Sequence, residues 1–106
     1  VNKAADKVGP TPLILACQQK HLDVVQLLLQ HKDINVNQAQ NNGWTSLISA
    51  CQFGHLKIVR LLLSQTGIDV DKTFKGKTPL AFAKRYGHTK IVKLLQQHAL
   101  TMDSHH

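Results

Sequence analysis

The chain has 106 residues, 42% of them hydrophobic, a size and composition typical of one globular domain and not of a disordered segment. No apolar run approaches the roughly 20 residues that a membrane-spanning helix needs, so the sequence argues against a membrane-spanning protein. The formal net charge is +7, and the stretch 72–93 holds seven basic residues and no acid, so that end of the molecule is expected to attract acidic partners.

Three segments of the chain resemble one another at a nearly constant spacing. The stretch GPTPLILAC at residues 9–17 returns as GWTSLISAC at 43–51 and as GKTPLAFAK at 76–84. The threonines of these segments are 34 and 33 residues apart, and a histidine follows ten residues after each one. Self-similarity at such a period is the signature of a repeat protein, so the sequence predicts equivalent units stacked in register.

Each unit is predicted to begin with a short helix. Thr11, Thr45 and Thr78 stand where a side-chain hydroxyl can cap a helix N-terminus. Pro12 and Pro79 follow at the first helical position, where a missing N–H removes no hydrogen bond. A first helix is therefore predicted to start directly after each threonine.

A second helix is predicted to follow each first helix after a tight turn. Gly54 and Gly87 can adopt the left-handed conformation that ends a helix. Lys20 takes their place in the first unit, so we expect strain in that turn. Polar runs that end in glycine join the helix pairs and suit projecting β-turns. Second helices, with apolar residues spaced for one buried face, are predicted at 24–29, 58–63 and 91–95.

This pattern resembles the ankyrin repeat, whose unit is a β-turn and two antiparallel helices with the signature Thr-Pro-Leu-His-x-Ala. The resemblance covers about residues 9–99, with repeats at about 9–41, 43–75 and 76–99 inside one domain of residues 1–104. It implies an all-α solenoid of stacked helix-turn-helix units with projecting β-turn loops. Such a solenoid offers a surface for binding and carries no catalytic machinery of its own.

The chain departs from the family signature at four positions. The signature histidine is replaced by Ile14, Ile48 and Ala81, and Ser46 stands where the signature has proline. These departures affect local turn geometry, and the prediction of the fold does not depend on them.

The two ends of the chain carry expectations of their own. Residues 1–8 resemble the tail of a preceding repeat, because the first two of them repeat the Val-Asn of residues 36–37. We expect the third repeat to be a C-terminal cap, since Lys84 and Gln96 place polar groups where a following repeat would pack. Residues 105–106 are interpreted as the remnant of a purification tag.

Cys17 and Cys51 occupy the same position in successive repeats. Their separation should be one repeat step, on the order of the 8 to 10 Å between packed helices. A disulfide needs Cα atoms closer than about 7 Å, so we expect two buried, reduced thiols that pack the stack. Reduced thiols fit an intracellular protein.

His21, His55 and His88 form a series at one repeat position. Neighbouring members should again be one repeat step apart, too far for a common zinc ion with Zn–N bonds of about 2.0 to 2.1 Å. The resemblance implies instead that each histidine hydrogen-bonds to the backbone and orders its turn. We therefore expect no metal site.

The sequence contains no catalytic motif that we recognise. It has no Gly-x-Ser-x-Gly nucleophile turn, no phosphate-binding Gly-x-x-x-x-Gly-Lys and no pair of carboxylates on one predicted face. We expect neither a catalytic residue nor a bound cofactor, so the surface is the place to look for function.

The resemblance implies that a partner docks on the concave side, formed by the β-turn tips and the first helices. Four of the five aromatic residues lie at positions that vary there, and we expect Trp44 and Tyr86 to be the strongest contacts. Phe82 is then the one expected core aromatic. The alternative is that Phe53 and Tyr86 pack against neighbouring helices and that Phe74 fastens its turn to the next. The expected partner-binding residues are Gln18, Gln19, Asn41, Asn42, Trp44, Gln52, Phe53, Phe74, Lys75, Lys77, Arg85 and Tyr86, with Lys7, Val8 and Pro10 at equivalent positions in the first repeat.

The basic residues beside these aromatic side chains favour an acidic partner. Lys75, Lys77 and Arg85 flank Phe74 and Tyr86, so an acidic peptide or protein face with apolar anchors would be complementary. Basic and aromatic side chains together also suit single-stranded nucleic acid, which is one alternative. A regulatory or targeting segment of a larger protein, such as an enzyme or a secreted effector, is the other. We expect a monomer in the cytoplasm or nucleus, or one delivered into a host cell as a bacterial effector.

Overall fold

The computed structural model describes residues 11–40 and 42–103. These residues form three helix pairs joined by loops, and the expected all-α solenoid is confirmed. Within the described ranges the extended backbone is limited to an isolated antiparallel bridge between Phe74 and Lys77. The helices are α1 Pro12–Gln18, α2 Leu22–Gln30, α3 Ser46–Phe53, α4 Leu56–Leu63, α5 Pro79–Arg85 and α6 Thr89–Asp103.

The helix pairs stack in register along the solenoid. The first helices contact one another in the order α1, α3, α5, and the second helices contact one another in the order α2, α4, α6. Each first helix also packs against the second helix of its own pair. Residues one period apart in the sequence are therefore neighbours on adjacent helices, as the repeat pattern predicts.

The predicted helix starts are confirmed by three equivalent caps. The hydroxyl oxygens of Thr11, Thr45 and Thr78 accept hydrogen bonds from the backbone N–H three residues on, at 3.1, 3.2 and 3.2 Å. Each cap satisfies one of the backbone donors that the start of a helix leaves unpaired. Such caps stabilise a helix by about 1 kcal/mol each.

The turns between the helices of a pair have the predicted left-handed residue. Gly54 and Gly87 have φ values of 76° and 74°, and Lys20 at the same position has a φ of 60°. A side chain in this region costs roughly 1–2 kcal/mol, so the expected strain at Lys20 is confirmed. Gly54 is needed for a second reason, because a Cβ there would lie 2.6 Å from Cε1 of His88.

The loops between successive pairs are tied together by one side chain. The amide of Asn37 donates to the carbonyl oxygen of Gly67 at 2.8 Å and accepts from the backbone N–H of Asp69 at 2.7 Å. One primary amide therefore pairs with both a donor and an acceptor of the next loop. This link fixes the spacing of the two loops. It thereby also positions the β-turn tips, which follow in the chain just before the first helices.

Two hydrophobic clusters hold the stack together. The larger one lies between the two rows of helices and includes Val25, Val59, Leu62 and Leu95. The smaller one lies under the β-turn tips and consists of Ile14, Trp44, Ile48 and Phe82, with Phe74 packed against it. Because the second cluster joins the tips to the first helices, it positions the surface that the tips form.

Several expectations concern the ends of the chain. Lys84 and Gln96 are exposed, as the expected polar outer face of the third repeat requires. Among the described helices, none combines the length and apolar character needed to cross a membrane. The expected preceding-repeat tail at 1–8, the tag remnant at 105–106 and the surface residues Lys7, Val8, Pro10 and Asn41 lie outside the described residues.

Candidate functional site

The ends of the first helices carry a row of exposed side chains at one repeat position. Gln19, Phe53 and Tyr86 follow one another at this position, and all are exposed. Phe53 is the last residue of α3, and the other two are the C-caps of α1 and α5. Phe53 is 49% exposed and Tyr86 is 47% exposed. We call the row, together with Arg85 beside it, the ladder face. Two large aromatic side chains are thus about half exposed at the ends of neighbouring, stacked helices.

Each aromatic ring of the ladder face lies beside the histidine ring of its own repeat. The ring of Phe53 lies 6.1 Å from that of His55 with an interplanar angle of 24°, and the ring of Tyr86 lies 6.5 Å from that of His88 at 30°. The histidine rings thus support the exposed aromatic rings from behind. Such support restricts ring motion, and a restricted side chain loses less entropy on binding.

The histidines are themselves held by bonds between repeats. Nε2 of His55 lies 3.4 Å from the carbonyl oxygen of Gln18, and Nε2 of His88 lies 2.9 Å from that of Gln52. Because a carbonyl oxygen can only accept, Nε2 carries the hydrogen and donates it. The expected backbone hydrogen bond is confirmed for these two histidines, and it runs to the preceding repeat.

Positive charge lies beside the rings of Tyr86 and Phe74. The guanidinium of Arg85 lies 5.9 Å from the centre of the Tyr86 ring, and the ammonium of Lys75 lies 5.3 Å from that of Phe74. Arg85 and Lys75 are exposed, as is Lys77. Since no acid occurs between residues 72 and 93, no neighbour in that stretch neutralises these cations. The third repeat therefore presents a positive surface to an approaching molecule.

A tight turn at residues 74–77, the third β-turn tip, places these two lysines in solvent. Phe74 and Lys77 exchange two backbone hydrogen bonds of 3.0 Å, and the residues between them, Lys75 and Gly76, have φ values of 53° and 77°. Two consecutive positive φ values define a type I′ hairpin turn. The turn leaves both lysines exposed while Phe74 packs against the smaller cluster.

Trp44 is buried, so its expected exposure on the partner-binding surface is wrong. It is 9% exposed, and its indole Nε1–H donates to the hydroxyl of Ser49. Its ring makes edge-on contacts with Phe74 at 4.8 Å and Phe82 at 5.7 Å between centroids. Phe82 is in the core as expected, but it is not the one core aromatic. Phe74 fastens its turn to the preceding one, which carries Trp44, and not to the next as the alternative had it.

The burial of Trp44 has a local physical cause. Ser49 occupies the repeat position held by Leu15 and Phe82 in the other repeats, and this small residue leaves room for the indole. Its hydroxyl also supplies the acceptor that a buried indole N–H needs. A serine at this position, one turn into the helix after the tryptophan, is the sequence signal that would have indicated burial.

The other expected partner-binding residues differ in exposure. Gln18, Gln52 and Phe74 are partly buried. Exposed side chains belong to Gln19, Asn42, Phe53, Lys75, Lys77, Arg85 and Tyr86. Contact of these residues with a partner stays a prediction.

The cysteines lie in the core, as expected. Cys17 and Cys51 are buried and have free thiols. Burial raises the pKa of each thiol to about 12, and a hydrogen bond with Ser46 offsets part of this effect at Cys17. A neutral, buried thiol is neither a nucleophile nor a metal ligand. Among the described residues, no three His, Cys, Asp or Glu side chains are grouped as a metal site would require.

These features define a solenoid of stacked helical repeats. A family model described as ankyrin repeats in three copies matches residues 1–74, and a single-repeat ankyrin model matches residues 75–103. The chain belongs to the ankyrin repeat family. Ankyrin repeats are protein–protein interaction modules and are generally not catalytic.

Two known proteins show similar repeats. The putative ankyrin repeat protein YahD of Escherichia coli (strain K12) is 51% identical over 37 residues, which are 35% of this chain and 17% of that protein. The other is a chain of the solved structure of the Bd0816 predatory endopeptidase from Bdellovibrio bacteriovorus in complex with the immunity protein Bd3460. It aligns with a TM-score of 0.76 and 30% identity, over 83% of this chain and 46% of that one. The matched part of this chain thus covers less than half the length of either protein.

Proposed function

We propose that this chain binds a protein partner on the ladder face and the third β-turn tip, and that the partner carries carboxylates beside an apolar anchor. In this proposal the chain performs no chemistry itself. The observation that carries the proposal is the placement of Phe53 and Tyr86, half exposed at one repeat position and each beside a histidine ring. Membership of a family of interaction modules supports a protein as the partner.

Apolar contact would supply most of the binding free energy. Aromatic side chains bury 150–250 Å² each and are enriched among the residues that dominate protein interfaces. Phe53 and Tyr86 still expose about half of their surface, so a partner can remove much of it from water. Because the rings already lie beside those of His55 and His88, little ordering of the two side chains would be left for the bound state.

The positive charges favour an acidic partner. A guanidinium can form two parallel hydrogen bonds with a carboxylate, and Arg85 is exposed beside Tyr86. Lys75 and Lys77 add two flexible point charges at the tip. Complementary charge of this kind raises the association rate and depends on salt, whereas contact with the rings does not.

The test is a capture experiment followed by a direct binding measurement. The intact chain and a Phe53→Ser/Tyr86→Ser double variant are used as bait in cell lysate, and a captured protein is then purified and titrated calorimetrically. Leu100→Ser is the matched control, because Leu100 is an exposed apolar residue on α6. We expect the double variant to lose the partner and the control to keep it. Equal capture by all three baits would contradict the proposal.

Single-stranded nucleic acid is the second candidate partner. The observation in its favour is that the acid-free stretch 72–93 carries the exposed ring of Tyr86 together with seven basic residues. Titration with an oligothymidylate at low and moderate salt separates the candidates. Tight binding with a steep salt slope that Tyr86→Ser weakens would favour nucleic acid over protein.

In either case the chain can act as the binding segment of a larger protein, such as an enzyme or an effector. The two relatives described above are both more than twice as long as the part that this chain matches. In such a protein the ladder face would recruit a target or a regulator. Activity, if the larger protein has any, would come from its other segments.

A further inference from the structure

A groove of about 370 Å³ lies between the turns of the first two repeats. Leu22, at the start of α2, and Leu56 and Ile58, at the start of α4, give it a mostly apolar lining. Two lysines, Lys20 and Lys57, line the same space. We call this space, which two consecutive repeats enclose, the turn groove.

The turn groove combines apolar walls with two positive charges. Leu22 and Leu56 are partly buried and Ile58 is buried, so the walls are firm parts of the stack. Lys20 and Lys57 are exposed, and their ammonium groups are free to turn towards a ligand. Among the described residues that line the groove there is no Asp or Glu, so neither charge is neutralised from within it. The complementary ligand carries carboxylates around an apolar group.

The next junction between repeats has an equivalent groove that lacks this combination. Its volume is about 270 Å³. Gly54 takes the place of Lys20 there, and Thr89 takes the place of Leu56. The second groove therefore has one cation and one apolar side chain fewer at the same repeat positions. The character of the turn groove thus comes from particular residues and not from the repeat architecture.

Lys20 brings its charge to the groove in a strained conformation. Its φ of 60° is one that glycine adopts freely and lysine does not. The other two turns have glycine at this position, Gly54 and Gly87. Backbone strain of this kind is concentrated at functional sites. The strained residue and the groove that it lines point to the same place.

We infer that the turn groove binds an acidic segment of a protein partner. One apolar side chain of the segment inserts beside Leu22 and Ile58, and the carboxylates on either side of it pair with Lys20 and Lys57. The groove is open along one side, which suits a chain that passes across it and leaves a small molecule poorly enclosed. His55 lines the groove and also lies beside the ring of Phe53, so the two surfaces adjoin. The inference does not require the ladder face to bind anything.

The test is an NMR titration of the isotope-labelled chain of 106 residues with a capped pentapeptide of the sequence glycine-glutamate-leucine-glutamate-glycine. We expect the amide signals of residues 56–58 to shift, while those of residues 89–91 in the second groove stay in place. A peptide with glutamine in place of both glutamates should bind at least about twofold more weakly, because it lacks the charges. A peptide with alanine in place of leucine should also bind more weakly, because it buries less apolar surface.

Lys20→Gly separates binding from folding. It should weaken binding of the glutamate peptide about two- to fivefold, the range that an exposed ion pair contributes. The melting temperature should rise, because glycine relieves the strain at this position. A loss of affinity that accompanies a gain in stability cannot result from unfolding. Lys32→Gln is the matched control, since Lys32 is an exposed lysine outside the groove, and it should change the affinity by less than about 1.5-fold.

Unchanged affinity in Lys20→Gly, or equal binding of the glutamate and glutamine peptides, would overturn the inference. Shifts confined to Phe53 and Tyr86 would place the peptide on the ladder face, which would overturn the inference and leave the proposed function intact. A titration with octanoate adds a last outcome. Binding of octanoate that depends on Lys20, without binding of the peptide, would replace the protein segment with a small amphiphilic carboxylate.

Discussion

Nε2 of His88 lies 2.9 Å from the carbonyl oxygen of Gln52, one repeat earlier in the chain. This bond joins the turn of the third repeat to the end of α3 in the second. The His88 ring that makes this bond also lies beside the ring of Tyr86, with 6.5 Å between the centroids. The imidazole of His88 therefore contributes both to the contact between two repeats and to the support of the Tyr86 ring.

We expect His88→Ala to lower the free energy of unfolding by about 1–2 kcal/mol, because it removes the hydrogen bond and leaves the carbonyl oxygen of Gln52 without its partner. Urea denaturation followed by circular dichroism measures this. His88→Gln, whose amide can still donate, should recover part of the loss. A loss no larger than that of the exposed Lys90→Ala would show that the bond contributes nothing.

The second prediction concerns the buried indole. Trp44→Ala should destabilise the chain by about 3–5 kcal/mol, since it opens a cavity between Phe74 and Phe82 and removes the partner of Ser49. Trp44→Phe keeps a ring in place and should cost less, with the unpaired hydroxyl as its main defect. Differential scanning calorimetry of both variants gives the comparison. A melting temperature of Trp44→Ala within 2 °C of the parent would be incompatible with the burial described above.

Lys20 offers a route to greater stability. Lys20→Gly should stabilise the chain by about 1 kcal/mol, because glycine adopts a φ of 60° without the penalty that lysine carries there. Gly54→Ala is the matched opposite change, and it should be destabilising through both its backbone conformation and the contact with His88. Chemical denaturation of the two variants side by side tests the pair. Destabilisation by Lys20→Gly would mean that the side chain makes a compensating contact.

The buried thiols predict a loss of stability in alkali. Their pKa is about 12 in the folded chain against an ordinary value of 9.0, so the unfolded state releases its protons first as the pH rises. The stabilisation is complete below pH 9 and is lost progressively from there up to about pH 12, at no more than about 1.4 kcal/mol per pH unit for each thiol. Denaturation at pH 8 and pH 10 measures the difference. A Cys17→Ala/Cys51→Ala variant should show a smaller one, and an identical pH dependence would contradict this origin.

Much of the fold follows from local sequence signals. A threonine hydroxyl caps each first helix, and a glycine or the strained Lys20 ends it, so these boundaries depend on residues within a few positions. The exposure of Phe53 and Tyr86 also follows from their repeat position. These features were predicted because the cause and the effect lie in the same short segment.

The orientation of Trp44 could not be predicted in the same way. Whether it faces solvent depends on the space and the acceptor that Ser49 provides, and on the approach of Phe74 from the next tip. A repeat position indicates only the usual exposure of the residues that occupy it. A tryptophan can depart from that usual exposure when a small neighbour leaves room for its ring. The hydrogen bonds of His55 and His88 to the preceding repeat likewise became evident only when two units were seen together.

His55 and His88, which support the rings of Phe53 and Tyr86, each form a hydrogen bond across a junction between repeats. A ligand that contacts both rings would therefore act on two of these junctions at once. Recognition and resistance to unfolding would then rise together with ligand concentration. A force applied to one end of the array would have to separate these junctions between repeats one after another. The chain with a ligand bound would consequently withstand a larger pulling force than the free chain.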